Sequence, residues 1–219
     1  VAIASIGSTK TTLLIGSAIT VGADATIPDN IILWFVGPGK LFVNATHTVT
    51  INSPSQVLAH TQQQVFDGTG TFTFTNGGVV SPGWWGFSSG GTASTNTDAY
   101  NACSNSLSAK GGAIIIPPTG SAHQVDDTLT HPAKPISVVG AHPDLCVIES
   151  TATASLAHGL TFTRSHHLRN LTIRTSASLA SNYDMYGVRM NLDGVTVSGG
   201  NQAVKWESVK VRGFNNSFY

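Results

Sequence analysis

Short β-patterned runs recurring every 17 to 25 residues constrain this chain more than any other feature. Thr12-Leu13-Leu14-Ile15, Ala18-Ile19-Thr20-Val21, Ile31-Ile32-Leu33-Trp34-Phe35, Lys40-Leu41-Phe42-Val43, Thr48-Val49-Thr50-Ile51 and Thr71-Phe72-Thr73-Phe74 follow one another closely. Pro28-Asp29-Asn30, Gly37-Pro38-Gly39 and Asn76-Gly77-Gly78 supply turns between them. From Thr12 to Ile31 is 19 residues, from Ile31 to Thr48 is 17, and from Thr48 to Thr71 is 23. A coil of that length holds about three short strands and their turns. Stacked coils bury an apolar interior that no single coil can bury, so the period points to a solenoid. A β-sandwich remains the alternative for the N-terminal part.

The chain can build such a core. It has 219 residues, 41% of them hydrophobic, which excludes a disordered chain. Only 10% are charged, against about 25% in ordinary soluble domains, so Ser, Thr, Asn and Gly must supply the polar surface. Formal net charge is zero, which argues for neither nucleic acid nor membrane as a partner. The charge is uneven, though. Residues 1–163 carry four basic and eight acidic side chains, and residues 164–219 carry seven and three. The later part could attract an anion, although a small excess is more often a solvated face. The most apolar stretch, residues 31–36, is strand length, far below the ~20 residues a bilayer-spanning helix needs. The chain opens on Val1 and stops soon after a strand pattern, so it is expected to be part of a larger protein.

One segment departs from the strand rhythm. After a Gly/Ser/Thr stretch, Ala99, Ala102, Cys103 and Leu107 share one helical face, with Asn96 or Thr97 able to cap it. Lys110-Gly111-Gly112 then supplies a basic last turn and a glycine stop. Ala113-Ile114-Ile115-Ile116-Pro117-Pro118 follows as a buried strand entering a stiff turn. Strand patterns resume to the end. Among them, residues 168–174 align with residues 206–212 at an offset of 38, one coil plus an insertion for which residues 193–201 are the candidate. That register stacks Leu171 on Val209 and Ile173 on Val211 inside, and Arg174 on Arg212 outside.

Trp84-Trp85-Gly86, a helix opened near Asp98, and Gly111-Gly112-Ala113-Ile114-Ile115-Ile116-Pro117-Pro118-Thr119-Gly120 together resemble the start of pectate-lyase-like right-handed β-helix proteins. Val125-Asp126-Asp127-Thr128-Leu129 and Ile136-Ser137-Val138-Val139-Gly140-Ala141 continue the likeness, which covers residues 84–219. The pattern is common in phage tailspikes and tail-associated depolymerases. Ser121-Ala122-His123 stands where an aromatic residue often follows the turn, and only Asp98 remains of an acidic pair that often opens the helix. The resemblance implies an all-β fold, a right-handed parallel β-helix with one short capping α-helix. Its sections would be an N-terminal β-rich part over 1–86, a linker and capping helix over 87–112, and first rungs over 113–219. It further implies a tailspike-like or tail-fibre-like protein of the virion or extracellular space. Such a protein would be a homotrimer, in contact with other tail proteins, binding polysaccharide or lipopolysaccharide. Trp84, Trp85, Gly86, Asp98, Gly112 and Pro117 would be structural, with sugar stacking as the alternative for Trp84 and Trp85. A polysaccharide lyase or glycoside hydrolase, or a purely structural virion or adhesin component, are the competing functions.

Carboxylates one coil apart are the pattern that glycoside cleavage needs. Asp126 and Asp127 lie 23 and 22 residues before Glu149, so either could face it; the plainer alternative is a polarised turn and a solvated face. Asp184, Asp193 and Glu207 lie near Arg174, Arg189 and Arg212 in sequence, where an Arg could hold an acidic sugar or act as a base; ordinary surface pairing is the alternative. Tyr183, Tyr186 and Trp206 are candidates for stacking on sugar rings, with Trp206 equally able to be core. No metal site or cofactor is expected. His166 and His167 would point to opposite faces of a strand, and Cys103, on a helix face, reads as core.

Overall fold

The structure, a computed structural model, describes residues 5–151, 160–162, 166–176, 186–190, 204–212 and 216–218. It is mostly β, built from parallel sheets whose strands are visited in rotation. The first coil contributes β1 (Thr11–Ile15), β2 (Ala18–Val21) and β3 (Ala25–Ile27). The second contributes β4 (Ile31–Phe35), β5 (Lys40–Val43) and β6 (Thr48–Ile51), and the third β7 (Val57–Leu58), β8 (Phe66–Gly68) and β9 (Thr71–Phe74). The sheets run β1-β4-β7, β2-β5-β8 and β3-β6-β9, so each coil gives one strand to each sheet.

The registers show which sequence offsets mark a coil. Thr48 pairs with Thr71, as the spacing of 23 suggests. Thr11, not Thr12, pairs with Ile31, an offset of 20. The offset of 17 is not a coil: Ile31 and Thr48 belong to different sheets, and β4 pairs instead with β7, Leu33 opposite Val57. Strands of one coil share the same apolar alternation, so sequence offsets alone confuse two thirds of a turn with a whole one.

Alternation decides what is buried. In β4, Ile31, Leu33 and Phe35 point inward and are buried, while Trp34 points out. Opposite strands stack the inward set, Ile15 beside Phe35, Leu41 beside Phe66 and Val49 beside Phe72. The outward set includes one apolar row, Leu14–Trp34–Leu58, exposed by 63%, 50% and 46%.

β10 (Gly78–Val80) leads into the 3-10 turn Pro82–Trp85 and then α1 (Ala93–Ser106). Ser81 caps the turn by accepting from the Gly83 N–H, and Trp84 is buried against the helix side. The helix starts earlier than the sequence suggests. Thr92 is its N-cap, accepting from the Thr95 N–H, so Asp98 lies inside the helix rather than opening it. Asn96 is not a cap at all. It is fully buried and its amide ties Ser88 to the Gln124 carbonyl. The cation at the helix C-terminus is Lys134, not Lys110. Lys134 Nζ reaches the Asn105 carbonyl at 3.0 Å and also donates to the Leu107 carbonyl, complementing the negative end of the helix dipole. Lys110 turns away to Asn76.

Beyond the helix the rotation resumes with β11 (Gly112–Ile115), β12 (Ala122–Val125) and β13 (Leu129–His131). β14 (Ile136–Val139), β15 (Val147–Ser150) and β16 (Leu160–Phe162) stack on them, followed by β17 (His166–Thr175), β18 (Tyr186–Met190), β19 (Val204–Arg212) and β20 (Asn216–Phe218). β10 pairs with β11 and so heads the seven-stranded sheet that continues through β14, β17, β15 and β12. Gly112 makes that junction possible, since a Cβ there would sit 2.2 Å from the Gly78 carbonyl oxygen. β17 is long because it pairs with two strands of one seven-stranded sheet: its first half with β14 and its second with β15. The corner between them is Asn170, at φ +54°, a left-handed conformation that Asn tolerates better than most residues. Ser208 repeats the corner in β19 at φ +53°. Leu168 lies opposite Trp206 and Arg174 opposite Arg212, the register of 38 read from the sequence; the insertion assigned to residues 193–201 lies outside the described residues.

Two histidines are enclosed near the helix. The Tyr100 hydroxyl meets His131 Nε2 at 2.8 Å in the core. His123 stacks on Phe87 at 4.4 Å and its Nε2 reaches the Pro117 carbonyl at 3.0 Å. Burial lowers the His123 pKa below its ordinary 6.5. Above about pH 6.5 the ring is neutral both folded and unfolded; below it, the unfolded chain takes up a proton that the folded chain refuses. Stability is therefore expected to fall as pH drops through 6.5, by at most about 1.4 kcal/mol per pH unit, and to level off below the folded-state pKa. Urea midpoints between pH 7.5 and 5 should show a shallower acid slope in His123→Gln than in the wild type. An identical slope in the two proteins would remove His123 as the cause.

Candidate ligand-binding cleft

The strands β12, β15 and the second halves of β17 and β19 lie side by side, about 4.8 Å apart. Their pleat sends His123, Ile148, Ile173 and Val211 inward and forms two outward rows. One row is Ala122–Val147–Thr172–Lys210 and the other Gln124–Glu149–Arg174–Arg212. A cleft of about 430 Å³ opens over these rows, bounded by the Gly120–Ser121 turn on one side and Pro143 and Asp144 on the other.

Glu149 orients the second row. Arg174 Nε donates to its Oε2 at 2.5 Å and Gln124 Nε2 to its Oε1 at 3.2 Å, and Glu149 is only 8% exposed. The ion pair fixes the Arg174 guanidinium beside Arg212, one strand away. Like charges on neighbouring strands repel, and an anion between them relieves that repulsion. Among the described residues no carboxylate lies within ion-pair distance of Arg212. Lys210 Nζ pairs with Asp144 Oδ1 at 2.6 Å, and this hydrogen bond is the main cause that holds the Asp144 carboxyl below the usual range. Thr172 donates to the Pro143 carbonyl at 2.8 Å and so ties the rim to the floor. The cleft is thus lined by three cations, Arg174, Lys210 and Arg212, against one carboxylate, Asp144, with Glu149 paired to Arg174 beside it.

The carboxylate pairing read from the spacings of 22 and 23 is not what the register makes. The coil here is 25 residues, so Glu149 faces Gln124. Asp126 instead clamps the helix, its Oδ1 accepting from the Thr97 hydroxyl at 2.8 Å while its N–H donates back at 3.1 Å. Asp127 accepts from the Thr128 N–H at the following turn. Glu207 lies outside the cleft, near Arg169 at 3.4 Å and His167 at 3.5 Å. Trp206 packs against the core opposite Leu168. Tyr186 and Arg189 fall on β18, and Tyr183, Asp184 and Asp193 lie outside the described residues.

Lys210, Thr172 and Asp144 were missed by the sequence reading. Applying the offset of 38 that aligns Arg174 with Arg212 would have found Thr172 beside Lys210; nothing in the sequence brings Asp144 to a residue 66 positions later. Cys103 and Cys146 are both buried, and burial pushes the Cys103 thiol pKa well above its ordinary value. Among the described residues no group of three or more metal-binding side chains gathers, and no helix is long and apolar enough to cross a membrane. Comparison with known proteins finds no matching family model, no matching curated protein and no matching solved structure.

Proposed function

We propose that this chain is a stretch of a right-handed parallel β-helix of the pectate-lyase-like, tailspike type, and that its cationic cleft holds acidic residues of a cell-surface polysaccharide or lipopolysaccharide. The observation that carries the binding reading is the row Glu149–Arg174–Arg212, in which one carboxylate fixes the first guanidinium and leaves the second to a ligand. The three-strand rotation and the long parallel registers support the β-helix. The sequence motifs around residues 84–86 and 111–120 support the tailspike type, and with it a homotrimer in a virion tail or outside the cell, beside other tail proteins. Binding, rather than cleavage, fits an acid already occupied by Arg174 and Gln124.

A panel of immobilised bacterial surface polysaccharides, acidic and neutral, tests this directly. Acidic members should retain the protein at low salt and release it as ionic strength rises. Retention of the neutral members alone would contradict the cleft's role, and unsaturated or new reducing-end products would replace binding with cleavage. A sharp monomer in light scattering would count against the trimer.

A further inference from the structure

A second cleft, also about 430 Å³, lies between the turn after β8 and α1. Its chemistry is opposite to that of the cationic one. We infer that it binds a neutral pyranose, through Trp85 as the stacking surface and Asp67 and Asp98 as acceptors for sugar hydroxyls.

Trp85 is half-buried and held by neighbouring rings, 4.9 Å from Phe66 and 6.5 Å edge-on to Phe72. A ring fixed in this way loses little freedom when a ligand lies against it. The two carboxylates come from different elements, Asp67 from β8 and Asp98 from α1, and Gln64 adds an amide at the rim. Lys40 donates to Asp67 Oδ2 at 2.6 Å, which keeps that carboxylate charged and fixed. The helix wall is small there, Ala99 and Ala102, so the space is not filled from within. A pyranose offers one C–H face to an aromatic ring and hydroxyl donors at its edge, which is the complement of this lining. Two carboxylates with only one paired cation repel a uronic acid and accept an uncharged sugar. Neither the β-helix assignment nor the cationic cleft enters this inference.

The test uses methyl pyranosides of glucose, galactose, mannose and N-acetylglucosamine with the whole chain, read by saturation-transfer NMR. Transfer is expected from at least one of them, at millimolar affinity. Affinity should weaken about tenfold or more in Asp98→Ala, an exposed helix position where alanine favours the helix, and vanish in Ala102→Gln, which fills the cleft. Methyl glucuronide should not compete at this site. No transfer from any of the four, or the same transfer in Asp98→Ala as in the wild type, overturns the inference.

Discussion

Replacing Phe66 by alanine is expected to remove about 3–5 kcal/mol of stability, the range for deleting a fully buried aromatic side chain. Phe66 has no exposed surface and sits among five rings. Phe72 stacks on it at 4.3 Å, Trp85 lies at 4.9 Å, and Phe35, Trp84 and Phe74 stand between 6.1 and 6.4 Å. Rings from β4, β9 and the 3-10 turn therefore converge on one β8 residue, so the cavity left by alanine has no single neighbour able to close it. Phe66→Leu keeps most of the volume and should cost roughly half as much. Urea unfolding monitored by tryptophan emission reads both. A loss below about 1 kcal/mol for the alanine variant would mean that the cluster does not hold the third coil to the helix.

Gly111→Ala should be comparably damaging, for a different reason. Gly111 has φ +75°, and a Cβ there would lie 1.8 Å from the Pro135 carbonyl oxygen. Main chain meets main chain, so no side-chain rotamer relieves the contact. The neighbouring Gly112 N–H donates to that same oxygen at 3.0 Å, which pins the approach between coils. The left-handed conformation alone costs about 1–2 kcal/mol for alanine, and displacing the β11 edge adds to it, so a total above about 3 kcal/mol is expected. Gly37→Ala separates the two contributions. Gly37 has φ +55° but open space around its Cβ, so only the conformational part should appear. Equal losses in the two variants would show that the contact with Pro135 contributes nothing.

These two sites mark what was and was not legible beforehand. The apolar alternation of β4, β5, β6 and β9 is plain in the sequence, and so is the match of residues 168–174 with 206–212, because both segments repeat the same order of apolar residues and end on Arg. What the sequence hides is which strand is one full coil away. Short strands of one coil resemble those of the next, which is why 17 looked like a coil and why Asp126 looked poised over Glu149. The start of α1 was hidden because Ala93-Ser94-Thr95 reads as a continuation of the linker, while Asn96, the obvious cap, is needed in the interior. Arg174 and Arg212 were legible as an outward pair; the carboxylate that fixes one of them was assigned to a different partner. The cleft beside Trp85 needed Asp67 and Asp98, 31 residues apart on a strand and a helix, and no periodicity connects those.

The cationic cleft carries the functional proposal, and its two outermost cations can be removed without disturbing the core, since Lys210 and Arg212 both point outward. Calorimetric titration of the wild type and the Lys210→Ala/Arg212→Ala variant with a uronic-acid oligosaccharide at low ionic strength is the most direct measurement. The wild type should bind with an affinity that falls as salt rises, and the variant should bind at least about tenfold more weakly at an unchanged melting temperature. Equal affinity in the two proteins, or binding by the wild type that ignores salt, would contradict a cleft built on Arg174, Lys210 and Arg212 for an acidic glycan.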